Sequence, residues 1–185
     1  MFQMSKALLF LTDGFEEIEA MVTLDILRRG GVKVTTVSLS ENGRSVTGSH
    51  DVKVEADEQY DDSLAEDADM LIMPGGPGTS NYEKHETFLK LLKSFNESKR
   101  RIAAICAAPS ILGGLGILKG KTAVCYPGYE KMLEGAVIGS NKVETDGHIT
   151  TSKGPGTAYD FGFTLLEILE GKEASEGVKG KMLYV

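Results

Sequence analysis

Along most of this chain, apolar runs of strand length take turns with segments of helical period, and few architectures accommodate that order. Residues 6–11 form a short apolar run, closed by the turn Thr12-Asp13-Gly14. Residues 15–29 then carry Ile18, Met21, Val22, Leu24 and Leu27 at helical spacing, and Gly30-Gly31 ends the segment as a C-cap would. Residues 32–39 alternate and are rich in β-branched side chains, which predicts a strand. Asn42-Gly43 marks a tight turn, and Val52-Lys53-Val54 suits a small hairpin arm. The alternation continues with a buried strand over 69–73, a helix over 82–95, a strand over 101–105 and a helix over 107–115. Strands over 121–125, 143–145 and 149–152 precede a last long helix over 158–170. Repeated strand–helix units imply an α/β fold whose mainly parallel sheet is covered by helices on both faces. Ligands of such sheets sit beyond the carboxyl ends of the strands, so the functional loops should follow Leu11, Met73 and Ile105.

A length of 185 residues, without repeat or linker, fits one domain over 1–185. The chain has 27 acidic and 20 basic side chains, a net charge of −7. That balance, with no basic run, argues against a nucleic-acid partner, whose phosphates demand neutralisation. Seven Asp or Glu lie between Asp57 and Asp69, which reads as a solvated connection with a short helix. No apolar run approaches the ~18 residues of a membrane span. The N-terminal apolar stretch is followed at once by Asp13, Glu16 and Glu17, so it reads as a first strand rather than a secretory signal. Cys106 and Cys125 stand alone, without a CxxC pair, and form neither a disulfide framework nor a zinc ligand set. The expectation is a cytoplasmic protein.

The sharpest local feature is Ala103-Ala104-Ile105-Cys106-Ala107-Ala108-Pro109, a cysteine between small residues where a strand gives way to a helix. A nucleophile on such a turn is held in a strained backbone and exposed above the sheet, and a helix N-terminus beside it favours thiolate. The alternative is a buried structural cysteine packing as a small hydrophobe. Glu16, Glu17 and Glu19 lie in the first turns of the first helix; Glu16 and Glu19 share a face, whereas Glu17 points elsewhere. Ordinary N-terminal acids complementing the helix dipole explain Glu16 or Glu17. Glu19 sits among apolar residues, where a partly buried acid has a raised pKa and can donate a hydrogen bond to a thiolate.

Pro74-Gly75-Gly76-Pro77-Gly78 follows a buried strand and matches neither the P-loop nor the GxGxxG pattern. An oxyanion hole shared with the Ala107 N–H suits it better than a phosphate cradle. His50, after Gly48-Ser49 in the hairpin region, is a candidate pocket residue, the alternative being an ordinary surface-loop residue. His85 and His148 read as solvated, and none of the three has a partner at metal-ligand spacing, so no metal site and no cofactor is expected. Cys125 reads as a structural residue near a strand end.

Four segments, in order from the first strand to the last helix, resemble the ThiJ/PfpI family, in its DJ branch of protein deglycases. They are Gly14-Phe15-Glu16-Glu17-Ile18-Glu19-Ala20, Met73-Pro74-Gly75-Gly76, the Cys106 segment, and Thr151-Ser152-Lys153-Gly154-Pro155-Gly156-Thr157. The resemblance implies a flavodoxin-like three-layer sandwich and a homodimer. It implies a nucleophilic Cys106 bonded to a protonated Glu19, with Gly76 and Ala107 as oxyanion-hole backbone donors. It also implies that Asp25 approaches the site of the partner subunit, the alternative being an ordinary exposed polar residue. Two positions depart from relatives. Ala107 stands where peptidase-like members carry histidine, which argues against proteolysis. Tyr126 stands where some members of the DJ branch place a histidine, and a tyrosine hydroxyl is a poor base at neutral pH.

The expected activity is a cysteine-dependent glyoxalase or deglycase acting on a small reactive carbonyl, through a Cys106 hemithioacetal. The competing expectation is an oxidative-stress sensor or redox chaperone, with Cys106 oxidised to sulfinate and no turnover. A flavodoxin-like module whose glycine-rich loops hold a phosphorylated ligand or a flavin is a third.

Overall fold

The computed structural model describes residues 4–184. Seven strands form the central sheet in the order β10-β11-β7-β6-β1-β2-β5. In chain order the chain's strands are β1 (Lys6–Leu11), β2 (Lys33–Ser38), β3 (Ser45–Thr47), β4 (Lys53–Glu55), β5 (Glu58–Gln59), β6 (Met70–Met73), β7 (Arg101–Ile105), β8 (Thr122–Ala123), β9 (Val137–Ile138), β10 (Val143–Asp146) and β11 (Ile149–Ser152). The helices are α1 (Glu17–Arg29), α2 (Glu86–Glu97), α3 (Pro109–Gly114), α4 (Ala158–Glu170) and α5 (Lys172–Lys181). Every neighbouring pair of the sheet is parallel except β10 on β11. The mainly parallel α/β sandwich expected from the sequence is therefore the observed architecture.

The period of two along the strands builds two cores. Leu8, Phe10, Leu71, Met73, Ile102 and Ala104 face α2 and α3, packing with Phe88, Leu92, Phe95, Ile111 and Leu112. Ala7, Leu9, Leu11, Met70, Ile72, Ala103 and Ile105 face α1, α4 and α5, packing with Ile26, Leu27, Phe161, Leu165 and Val178. Strands buried on both faces read as continuous apolar runs, which is why β1, β6 and β7 are legible. β1 lies between β2 and β6, so its chain crosses to one side and the later strands grow on the other. That reversal opens a crevice at the carboxyl ends of β1, β6 and β7.

Several boundaries differ from expectation. The segment from Pro77 to Lys84 is a 3₁₀ helix with Pro77 in its first turn, and α2 begins only at Glu86. His85 caps that break half-buried rather than standing in a solvated helix face. β8 does not join the central sheet; it pairs in parallel with β9 in a separate ribbon. The acidic connection holds the expected short helix (Asp62–Ala65) but also β5, which closes the sheet edge beside β2. The helix α4 is not the last, since Gly171, at φ +88°, turns the chain into α5. No helix among the described residues is long and apolar enough to cross a membrane.

Candidate active site

Cys106 is the residue after β7, at φ +66°, in the left-handed region that costs an L-residue with a Cβ about 1–2 kcal/mol. Its own N–H donates to Ser152 O at 3.0 Å and its carbonyl accepts the Tyr126 N–H at 2.7 Å. Those two bonds tie the bend to β11 and to the strand-end segment at 124–127, holding a conformation the residue would not choose. The residue is only 7% exposed. Gly75 lies directly against it: a Cβ there would stand 2.6 Å from Cys106 Cβ and 2.9 Å from the Ala107 nitrogen. Gly76, at φ +102°, passes as closely to the Gly14 carbonyl and the Glu16 nitrogen. The glycines are thus required by interlocking of the loops after β1, β6 and β7.

The Gly76 and Ala107 N–H groups act on the Cys106 sulfur and favour its ionised form, and neither has a backbone acceptor among the described residues. Glu19 lies beneath it, 1% exposed, on the first turns of α1. Its Oε2 accepts the Gly75 N–H at 2.8 Å, while Oε1 is sealed from solvent without a hydrogen bond of standard geometry. The Cys106 thiol is the group beside that carboxyl with which it exchanges influence on protonation. Burial pushes the Glu19 pKa up to about 7, against the lowering effect of the Gly75 and Cys106 contacts. Burial and then the facing Glu19 charge push the thiol up to about 12, opposed by the two backbone N–H groups. The expected help from a helix terminus is small: α3 starts only at Pro109 and has six residues. A thiolate therefore depends on Glu19 holding the proton, since protonation removes the opposing charge.

Glu16 is the N-cap of α1, 8% exposed, its Oε2 accepting the Glu19 N–H at 2.8 Å. This cap aims the Glu19 side chain inward. Glu17 does point elsewhere, as its spacing requires. Burial opposes its ionisation, but hydrogen bonds from His50 and Ser49 outweigh that and hold its pKa down to about 2. The His50 pKa is raised, by the Glu17 hydrogen bond first and its charge second.

A cavity of about 470 Å³ opens above the sulfur. Its wall brings together Cys106, Ala107, Gly76, Glu16, His50 and Tyr126, all singled out in the sequence. It also includes Ser49, Pro77, Tyr129 and Pro155, whose places no chemical motif marks. Only Pro155, inside the Gly154-Pro155-Gly156 opening of the last helix, and Pro77, beside the glycine loop, carried a signal. Asp25 lies away from this cavity on the exposed face of α1, paired with Arg29 at 2.6 Å. Cys125 is buried in the opposite core, where burial and then Glu130 push its pKa up to about 11. His148 is not solvated as expected: its Nε2 lies 2.8 Å from Asn96 Oδ1, and burial lowers its pKa. Glu16, Glu17 and His50 place one potential ligand atom each within 4.8 Å of one another. Glu17 and His50 already satisfy each other, so the grouping reads as an acid–base pair with a capping carboxylate beside it.

An α/β sandwich with a strained cysteine at the carboxyl end of a central strand, backed by a sealed carboxyl and a glycine loop, defines a thiol–carboxyl class of site. The model of the DJ-1/PfpI family matches residues 5–168, and the chain belongs to that family. It is 38% identical to the Drosophila melanogaster protein dj-1beta, over 97% of this chain and 98% of that protein. It is 35% identical to a Caenorhabditis elegans protein named glutathione-independent glyoxalase DJR-1.2, over 95% of this chain and 94% of that one. Identity to the Arabidopsis thaliana protein DJ-1 homolog B is 40% over 96% of this chain, which spans only 41% of that longer protein. Among solved structures, Drosophila DJ-1beta superposes with a TM-score of 0.91 at 34% identity, covering 99% of this chain and 100% of that one. An oxidized DJ-1 from Toxoplasma gondii superposes equally well, with a TM-score of 0.91 at 34% identity and 98% and 99% coverage. The flavodoxin-like fold implied by the sequence resemblance is the fold these neighbours share.

Proposed function

We propose that this protein is a cysteine-dependent glyoxalase or deglycase, acting on methylglyoxal, glyoxal or early glycation adducts without glutathione. The observation that carries the reading is the Glu19 carboxyl, sealed beside Cys106 with one oxygen unpartnered and its pKa raised to about 7. Such an acid holds a proton at neutral pH next to a sulfur that needs one removed. In this mechanism the Cys106 thiolate adds to the aldehyde carbon. The Gly76 and Ala107 N–H groups hold the new alkoxide, and Glu19 protonates it, becoming carboxylate. That carboxylate takes the proton from the same carbon and returns it to the neighbouring one, while the hydroxyl proton of the sulfur-bound carbon passes to the neighbouring oxygen, leaving an α-hydroxy thioester that water hydrolyses to lactate or glycolate and free Cys106 thiol. An adduct of a thiol or amine with the same dicarbonyl enters by exchange with Cys106. The name of the C. elegans relative supports this assignment.

The test is methylglyoxal loss and lactate formation by reduced protein, beside Cys106→Ser and Glu19→Gln. Both variants should lose turnover, and a Cys106→Ser variant at the wild-type rate ends the reading. The competing role is a redox sensor, favoured by the likeness to an oxidized Toxoplasma DJ-1. A neutral Glu19 could donate to a Cys106 sulfinate, and peroxide would then add two oxygens at Cys106 and not at Cys125. The partners in either role are a small molecule and a second copy of the chain, acting in the cytoplasm. Exposed Ile18 on α1 and Val52 beside β4 offer apolar surface for that copy.

A further inference from the structure

A dicarbonyl adduct on sulfur carries oxygens on two adjacent carbons, and shifting hydrogen between those carbons changes the proton demand of both. Glu19, sealed beneath Cys106 behind the cavity wall, serves the carbon bonded to sulfur. Among the described residues, no Lys or Arg lines the cavity wall to meet the charge that develops on the second oxygen. At the rim stands His50. Its Nδ1 lies 2.8 Å from Glu17 Oε2 and 3.1 Å from Ser49 Oγ, and its backbone N–H donates to Glu17 Oε1 at 2.6 Å. The Glu17 side chain is 13% exposed and the His50 side chain 73%, so the carboxylate is the anchor and the ring the free end. Nε2 has no partner among the described residues. A carboxylate on one imidazole nitrogen fixes ring orientation and leaves the other nitrogen to exchange protons.

We propose that His50, positioned by Glu17, is the second acid–base residue of this site, acting on the substrate oxygen next to the carbon bonded to Cys106. The proposal rests on the carbonyl chemistry above and adds a group to it. As the Glu19 carboxylate takes the hydrogen from the sulfur-bound carbon, the His50 imidazolium gives its Nε2 proton to the neighbouring carbonyl oxygen, forming an enediol. Glu19 then returns its proton to that neighbouring carbon. His50 recovers a proton from the hydroxyl on the sulfur-bound carbon, which becomes the thioester carbonyl. Both residues end in the states in which they began. The groups acting on the ring are Glu17, Glu16 and Asp51, all acidic, with Tyr126, Tyr129 and Cys106 elsewhere on the wall. Their charge keeps the ring cationic to higher pH than an isolated histidine, as the donor step requires.

The experiment measures kcat and KM for methylglyoxal against pH in wild type, His50→Gln, Glu17→Gln, Tyr126→Phe and Cys106→Ser, and in His50→Ala with added imidazole. His50 is exposed, so its replacement leaves the fold intact. His50→Gln should lower kcat about 100-fold with KM within about threefold, and abolish the limb of the kcat profile set by the imidazole. Imidazole should restore part of the rate to His50→Ala. Glu17→Gln should keep that limb but move it to lower pH, because the anion that raises the ring's pKa is gone. A His50→Gln variant within about twofold of wild type, while Cys106→Ser is inactive, overturns the proposal and leaves the carbonyl reading standing. Loss of kcat in Tyr126→Phe with His50→Gln unaffected overturns it in favour of the tyrosine. Absence of turnover in the wild type fails the carbonyl reading and this proposal with it.

Discussion

A carboxyl sealed beside a thiol makes proton position at Glu19 a matter of stability as well as chemistry. The ordinary carboxyl value of 4.5 is raised to about 7 in the folded chain. Between those values the native state keeps a proton that the unfolded state has released, so stability falls as pH rises through the window. It is level below 4.5, where both states are protonated, and level again above 7, where the native protein carries a buried charge. The whole step amounts to roughly 3 kcal/mol. Glu19→Gln keeps an oxygen for the Gly75 N–H and never ionises. Its urea midpoint should therefore exceed that of wild type at pH 8 and converge with it near pH 4. Midpoints of the two proteins that run parallel across this range would show that Glu19 does not titrate as its burial demands.

At the scale of elements, the site is an interlock of three loops, and its tolerance is set by how closely they pass. Gly75→Ala places a Cβ 2.6 Å from Cys106 Cβ and 2.9 Å from both the Ala107 nitrogen and the Ile105 carbonyl. Backbone atoms cannot swing aside as a flexible side-chain end can, so the loops must separate. The expected cost is about 1–3 kcal/mol, with rotation of the sulfur away from the Gly76 and Ala107 N–H groups. Urea unfolding checks the first, and a slowed Cys106-dependent reaction the second; wild-type behaviour in both would mean that the loops are not interlocked. Elements with a strong period were legible in the sequence: β1, α1, β6, β7, β11 and α4 lie within one or two residues of expectation. What escaped had weak signals. α5 contains Gly177 and Gly180 and buries only Ser175 and Val178, so no apolar stripe marks it. β5 and β9 have two residues each, too few to alternate. The residues that line the cavity were legible where chemistry marked them: a cysteine between alanines, acids on one helix face, a run of glycines. Ser49 and Tyr129 were not, because only the folded loops bring them beside Cys106. The Glu17–His50 contact, spanning 33 positions, has no local signature either.

Across the whole molecule, the sheet separates a core that carries the site from one that supports it. Cys106 and Ala107 belong to the core under α1, α4 and α5. The other core centres on Phe88, fully buried, whose ring lies 4.6 Å from Phe10, 5.5 Å from Tyr82 and 6.2 Å from Tyr60 between centroids. Tyr82 cannot probe this division, because its hydroxyl bridges the Phe10 and Pro74 carbonyls and so touches the glycine loop. Phe88 has no such link. Phe88→Ala removes the ring at the centre of the aromatic cluster and leaves a cavity that rigid strands cannot close, at an expected cost of about 3–5 kcal/mol. The urea midpoint should fall accordingly. The rate of Cys106 alkylation in native buffer should stay at the wild-type value, because the β7 bend, the Ser152 bond and the Gly75 contact lie on the far side of the sheet or at its edge. If alkylation instead accelerates in proportion to the lost stability, the thiol reacts through global opening rather than through the cavity, and the two cores act as one.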